Sequence, residues 1–232
     1  MTDTTTVAVV SAGVSSPSST RLLADRIAQA AVDALGVAGM PATVTVIELG
    51  PIAVEIARSL VSGFPTDAVQ DAIDKLAAAD AVVASTPVYK AGISGLFKSF
   101  ADLIDNDLLI AKPVILAATG GSARHAMVVD DQLRPLFAFL RSVPVPTSLY
   151  AAPEDWGSAD LGKRIRRAAN ELAALLRSGA PRDIAEGNWD GYQHQFAGNA
   201  TRAEKSTADI DFGSDLMRLA AGGSLRHHPE RS

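Results

Sequence analysis

A chain of 232 residues, 47% of them apolar and 20% charged, can enclose a sizeable core in one domain without requiring two. Its net charge of -5 and the lack of any basic cluster argue against a nucleic-acid partner. Cysteine is absent, which excludes disulfides, thiolate metal sites and a redox dithiol, so any redox chemistry must reside in a bound cofactor.

The opening Met-Thr-Asp-Thr-Thr-Thr has neither the basic segment nor the apolar stretch of a signal peptide, and no apolar run is long enough to span a bilayer. A soluble cytoplasmic protein is expected. The first strand is expected at Thr6 to Val10. Leu22, Leu23, Ile27, Ala30, Ala31, Ala34 and Leu35 then recur at helical intervals, with Ser18 or Ser19 as N-cap and Gly36 as stop. Thr43 to Leu49, rich in β-branched residues, reads as strand two. Short helical patterns fill Ile52 to Ala79, the clearest marked by Asp67, Val69, Ala72, Ile73 and Leu76. Ala81 to Ser85 is strand three, and Ser94 to Ile104 a helix. Pro113 to Ala118 is strand four, and the helical pattern from Asp130 to Arg141 is interrupted at Pro135. Val143 to Tyr150 reads as strand five, its two prolines suiting an edge position. Leu161 to Arg177 is an amphipathic helix with a basic face.

This alternation implies crossover connections and an α/β architecture: a flavodoxin-like, doubly wound, five-stranded parallel sheet, order 2-1-3-4-5, with helices on both faces. Residues 1–180 are expected to form that domain. Residues 181–232 change character, from a mixture of turn formers and aromatics at Gly187 to Phe196 to a Gly-rich polar end. They are expected to be a partly ordered extension. Trp189, Tyr192 and Phe196 ask for a packing surface, a neighbouring subunit being one candidate.

In such a sheet, loops leaving the carboxyl ends of neighbouring strands converge on one ligand crevice. Three loops qualify. Ser11 to Thr20 is rich in hydroxyls before a helix N-terminus, where free amides and the dipole favour an anion. Ser11, Ser18, Ser19 and Thr20 are candidates to ring a phosphate monoester, with Arg21 adding charge if it turns back. The competing reading is an ordinary Ser-rich loop with a capping Ser. The three-glycine dinucleotide fingerprint and the Gly-Lys-Ser/Thr loop are both missing, so a mononucleotide fits better. In the second loop, Thr86, Pro87, Val88 and Tyr89 offer backbone groups to a planar ring edge and an aromatic to pack beside it, against the plainer reading of Tyr89 as a half-buried core aromatic. In the third, Thr119, Gly120, Gly121 and Ser122 expose amides able to approach a ligand oxygen or ring nitrogen, although Gly-Gly also marks plain turns. No catalytic side chain and no metal ligand is nominated.

Thr86-Pro87-Val88-Tyr89-Lys90-Ala91 followed by Ser94-Gly95-Leu96-Phe97-Lys98 resembles the flavin-ring segment of the NAD(P)H-dependent FMN reductases. Ala118 to His125, with Gln132-Leu133-Arg134-Pro135 after it, resembles that family's segment after strand four. The likeness spans about residues 6 to 178 and is nearest to reductases that supply reduced flavin to luciferase-like and alkanesulfonate-type monooxygenases. The first loop departs from the usual Gly-Ser-x-Arg opening, with Gly13 where Arg is usual. The resemblance implies bound FMN, NAD(P)H as hydride donor, ping-pong transfer, a homodimer or homotetramer and a monooxygenase partner. An FMN-containing quinone or azo reductase is the alternative, and an electron-carrier flavoprotein a more distant one.

Overall fold

The computed structural model describes residues 4–188. In chain order the elements are β1 (Thr5–Ser11), α1 (Ser19–Val37), β2 (Ala42–Glu48), α2 (Ala53–Ser62), α3 (Asp67–Ala77), β3 (Ala81–Tyr89), β4 (Gly92–Ile93) and α4 (Gly95–Ala101). They continue with β5 (Pro113–Thr119), a π-helical turn (Val129–Leu133), α5 (Arg134–Phe139), β6 (Val143–Pro144), β7 (Leu149–Ala151), α6 (Ala159–Ser178) and α7 (Ala180–Asn188). The sheet runs β2-β1-β3-β5-β6, with β7 also on β5 and β4 folded back on β3. Every pairing is parallel except β3–β4. This is the doubly wound order read from the sequence.

Alternation along the central strands divides the core in two. Ala8, Val10, Val82, Ala84, Val114 and Leu116 face the side covered by α2, α3, α4 and α5. Val7, Val9, Ala81, Val83, Ile115 and Ala117 face α1 and α6. Burial on both faces explains why these strands are nearly unbroken apolar runs. Among the described residues, no helix is long and apolar enough to cross a membrane.

The structure corrects several boundaries. Strand five is two short strands, because Pro144 and Pro146 supply no N–H and Glu171 binds the amide and hydroxyl of Thr147 at 2.8 and 2.7 Å. The pair still occupies the sheet edge. Strand three runs past Ser85 to Tyr89, through Pro87. Ser85 aims its carbonyl toward β1, where it accepts from Ala12 N at 3.0 Å. Pro87, two residues on, points its nitrogen the same way, where β1 has ended, so no ladder bond is lost. Helix α1 passes Gly36, and Gly39 takes the left-handed position instead (φ 77°). Pro135 lies in the first turn of α5, directly after the π-helical turn. Beyond α7, which packs on α6, the aromatic segment from Trp189 lies outside the described residues.

At the opposite, amino end of the sheet, Lys112 Nζ donates to the carbonyls of Leu76 (3.0 Å), Ala77 and Ala79 (2.7 Å), capping α3. Burial lowers its pKa from the ordinary 10.5 to about 8, with Asp80 opposing the fall. Between pH 8 and 10.5 the unfolded chain binds a proton that the folded chain has released, so stability is expected to rise with pH across that window. Urea-unfolding midpoints measured against pH check this, and the rise is expected to vanish in Lys112→Met.

Candidate functional site

Parallel register places Ser11 beside Ser85, and Ser85 beside Ala117. Two residues further, Pro87 stands beside Thr119, and Thr119 beside Ala151. The loops that follow β1, β3 and β5 therefore leave the same end of the sheet side by side.

The first loop delivers the chain to α1. Ser18 is the N-cap, its Oγ accepting from Arg21 N at 3.2 Å. A Cβ at Gly13 would lie 2.0 Å from that Oγ, so a side chain at this position would displace the capping hydroxyl. Thr20 is buried and its hydroxyl meets that of Thr119 at 2.7 Å, while Ser85 Oγ donates to Thr20 O at 3.1 Å. This junction ties α1 to β3 and β5. It commits the hydroxyls of Thr20 and Thr119 to each other, leaving the amides of the first helical turn as the anion-seeking groups. That turn contains no acidic residue. Ser19 is exposed. Ser11 Oγ is buried with no hydrogen-bond partner among the described residues. Arg21 does not turn back to the loop. It binds Asp25 at 2.7 Å and Glu48 at 3.0 Å, and the hydrogen bond to Asp25 is the main cause of its raised pKa.

The second loop is a two-residue hairpin. Val88 pairs with Ile93 and Tyr89 with Gly92, leaving Lys90 (φ 51°) and Ala91 (φ 62°) at the tip. Two positive φ values suit the right-handed twist of the strands, but Asn-Gly is the usual sequence there. Each non-glycine residue in that region costs roughly 1–2 kcal/mol. Thr86, buried, holds the hairpin's base: its Oγ1 accepts from Ser94 N at 3.1 Å and lies 3.1 Å from both Pro87 O and Ser94 Oγ. Pro87 is buried, Val88 half-buried, and Tyr89 is 51% exposed, so its ring is open to a ligand rather than part of the core.

The third loop rests on Tyr150. Gly120 N donates to Ala151 O at 3.2 Å, and Tyr150 Oη donates to Ser122 O at 2.6 Å. A Cβ at Gly120 would sit 2.2 Å from Tyr150 Oη, whereas one at Gly121 would meet nothing within 4 Å. Gly120 is thus bare for the sake of the support beneath it, and Gly121 presents an open backbone. Burial, then Glu154 and Asp155, raise the Tyr150 pKa, which keeps the phenol protonated and donating. Neither Tyr150 nor Ser85 stands out as a site residue in the sequence. Their partners are 28 and 65 positions away, and no local motif marks them.

Residues 5–157 match the family model described as NADPH-dependent FMN reductase. An FMN reductase (NADPH) of Pseudomonas aeruginosa is 39% identical over 181 residues, 76% of this chain and 95% of that protein. An NADH-dependent FMN reductase of Pseudomonas putida is 38% identical over 175 residues, 73% of this chain and 91% of that protein. A crystal structure of an oxidoreductase from Corynebacterium diphtheriae superposes with a TM-score of 0.73 at 44% identity, covering 75% of this chain and 98% of that one. The two reductases are almost equally similar to this chain but are named for different nicotinamides, so overall likeness does not select the donor. With its sheet order and matched span, the chain belongs to the NADPH-dependent FMN reductase family.

Proposed function

We propose that the crevice at the carboxyl ends of β1, β3 and β5 is where this NAD(P)H-dependent FMN reductase holds its flavin. The observation that carries this reading is the junction of Thr20, Ser85 and Thr119, which ties the first loop to the ends of the other two strands. The donor set suits a phosphate monoester: an unpartnered buried hydroxyl at Ser11 and the first-turn amides at Ser19 and Thr20, in a turn with no carboxylate to repel an anion. Ser18 holds that turn open by capping it. Pro87, Val88 and Tyr89 would flank the ring system, and the amides of Gly121 and Ser122 would approach its polar edge, the Gly120 amide being held by Ala151 O. Thr86 and Thr119 act from beneath, as supports.

FMN supplies the two-electron acceptor for hydride from the nicotinamide. The chain's part is to bind, orient and present one face, so no side-chain acid or base is assigned. The reduced flavin is proposed to serve a luciferase-like monooxygenase, and the enzyme to work as a homodimer or homotetramer. Anaerobic stopped-flow mixing with NADPH, and then with NADH, should bleach the visible band of added FMN, and faster than the same mixture without protein. Rates that are the same with and without protein would refute the activity, and full activity with quinones but none with free FMN would favour a quinone reductase.

A further inference from the structure

Gln132 belongs to the π-helical turn, 39 residues from the hairpin it touches. Its Oε1 accepts from Ile93 N at 3.0 Å and its Nε2 donates to Ala91 O at 3.3 Å. One carboxamide thus grips the tip of the β3–β4 turn and the strand that leaves it, β4. Gly92, between the two gripped residues, makes the approach possible, because a Cβ there would lie 3.2 Å from Oε1. One gripped residue, Ala91, belongs to the strained tip, where it and Lys90 hold positive φ without being glycine or asparagine.

The support behind Gln132 is independent of the hairpin. Arg134 pairs with Asp130 at 2.9 Å and donates to Val145 O at 3.2 Å and to Ser148 Oγ at 2.6 Å. The π-helical turn is therefore anchored to the segment between β6 and β7 while Gln132 reaches across to the hairpin tip and β4. Gln132 itself is exposed, so its side chain fills no core volume.

We infer that Gln132 is a positioning residue. Its carboxamide holds the Tyr89–Gly92 turn in the conformation that receives the flavin ring. This deepens the proposed function and rests on its placement of that ring. Two properties follow. Without the clip, the turn relaxes toward forms with negative φ at Lys90 and Ala91, and FMN must reorder it on binding. The loss is also repairable: glycine at position 91 removes part of the backbone strain that the clip opposes.

The test uses the full-length, flavin-stripped protein with Gln132→Ala, Gln132→Ala/Ala91→Gly and, as an independent probe of the crevice, Gly120→Val. In Gln132→Ala, amide exchange at Ile93 is expected to quicken about tenfold, and the FMN Kd, read by flavin fluorescence, to rise about fivefold or more. Its melting temperature should stay close to that of the wild type. The double variant should recover FMN affinity to within about twofold of wild type. Fast exchange at Ile93 with unchanged FMN affinity, while Gly120→Val loses FMN, would overturn the inference and leave the crevice standing. Unchanged affinity in both Gln132→Ala and Gly120→Val would remove the placement of the ring and the inference together. A loss of affinity that Ala91→Gly does not restore, with a fall in melting temperature, would reduce Gln132 to a structural role and also overturn it.

Discussion

Replacing Gly120 with valine is expected to raise the FMN Kd roughly 30-fold or more. The Cβ would fall 2.2 Å from Tyr150 Oη, so the phenol must leave and its bond to Ser122 O is lost. Overpacking of this kind costs about 1–3 kcal/mol, and the lost hydrogen bond about 1 kcal/mol more. Tyr150 is buried beside the end of β5 and cannot swing into solvent without opening the core, so the strain moves into the exposed loop. That loop is the one proposed to meet the polar edge of the flavin. Tyr150→Phe separates the two contributions: it removes only the hydroxyl and is expected to raise the Kd about fivefold. Fluorescence titration of the stripped protein with FMN measures both. Wild-type affinity in Gly120→Val would remove the third loop from the site.

The largest effect on stability is expected at the junction under the crevice. Thr20→Val leaves the Thr119 hydroxyl buried without its partner, and Thr119→Val does the same to Thr20. Each is expected to cost about 1–3 kcal/mol, read from urea-unfolding midpoints. The double variant should cost clearly less than the sum, because no orphaned hydroxyl remains, with a coupling of at least about 0.5 kcal/mol. Additive losses would mean that the hydroxyls do not interact, and that α1 is held to β5 by apolar packing alone.

The central strands were legible because burial on both faces makes them continuous apolar runs, and α1 and α6 because their apolar positions recur at helical spacing. Three loops at one end of the sheet followed from parallel topology alone. What the sequence hides is contact at a distance. Thr20 reads as one more hydroxyl in a Ser-rich loop, since Thr119 lies 99 residues away. Tyr150 reads as the end of a strand, although it supports Gly120 and Ser122. Arg21 has two acidic partners, Asp25 one helical turn on and Glu48 on β2, and only the first is visible from spacing. The hairpin at Lys90 and Ala91 escapes notice because neither residue is a customary turn former, and its clip, Gln132, comes from another element. The broken edge strand was missed for a simpler reason: two prolines mark an edge but do not say where pairing stops.

Titration of isotope-labelled, flavin-free protein with FMN, followed through backbone amide resonances, puts the whole crevice to the test at once. The amides of Ser19, Tyr89 and Gly121 belong to three separate stretches of the chain and should shift together along one binding curve with a single Kd. Saturation of FMN binding with any of these three resonances left in place would contradict a shared site, and with it the placement of the flavin at this end of the sheet.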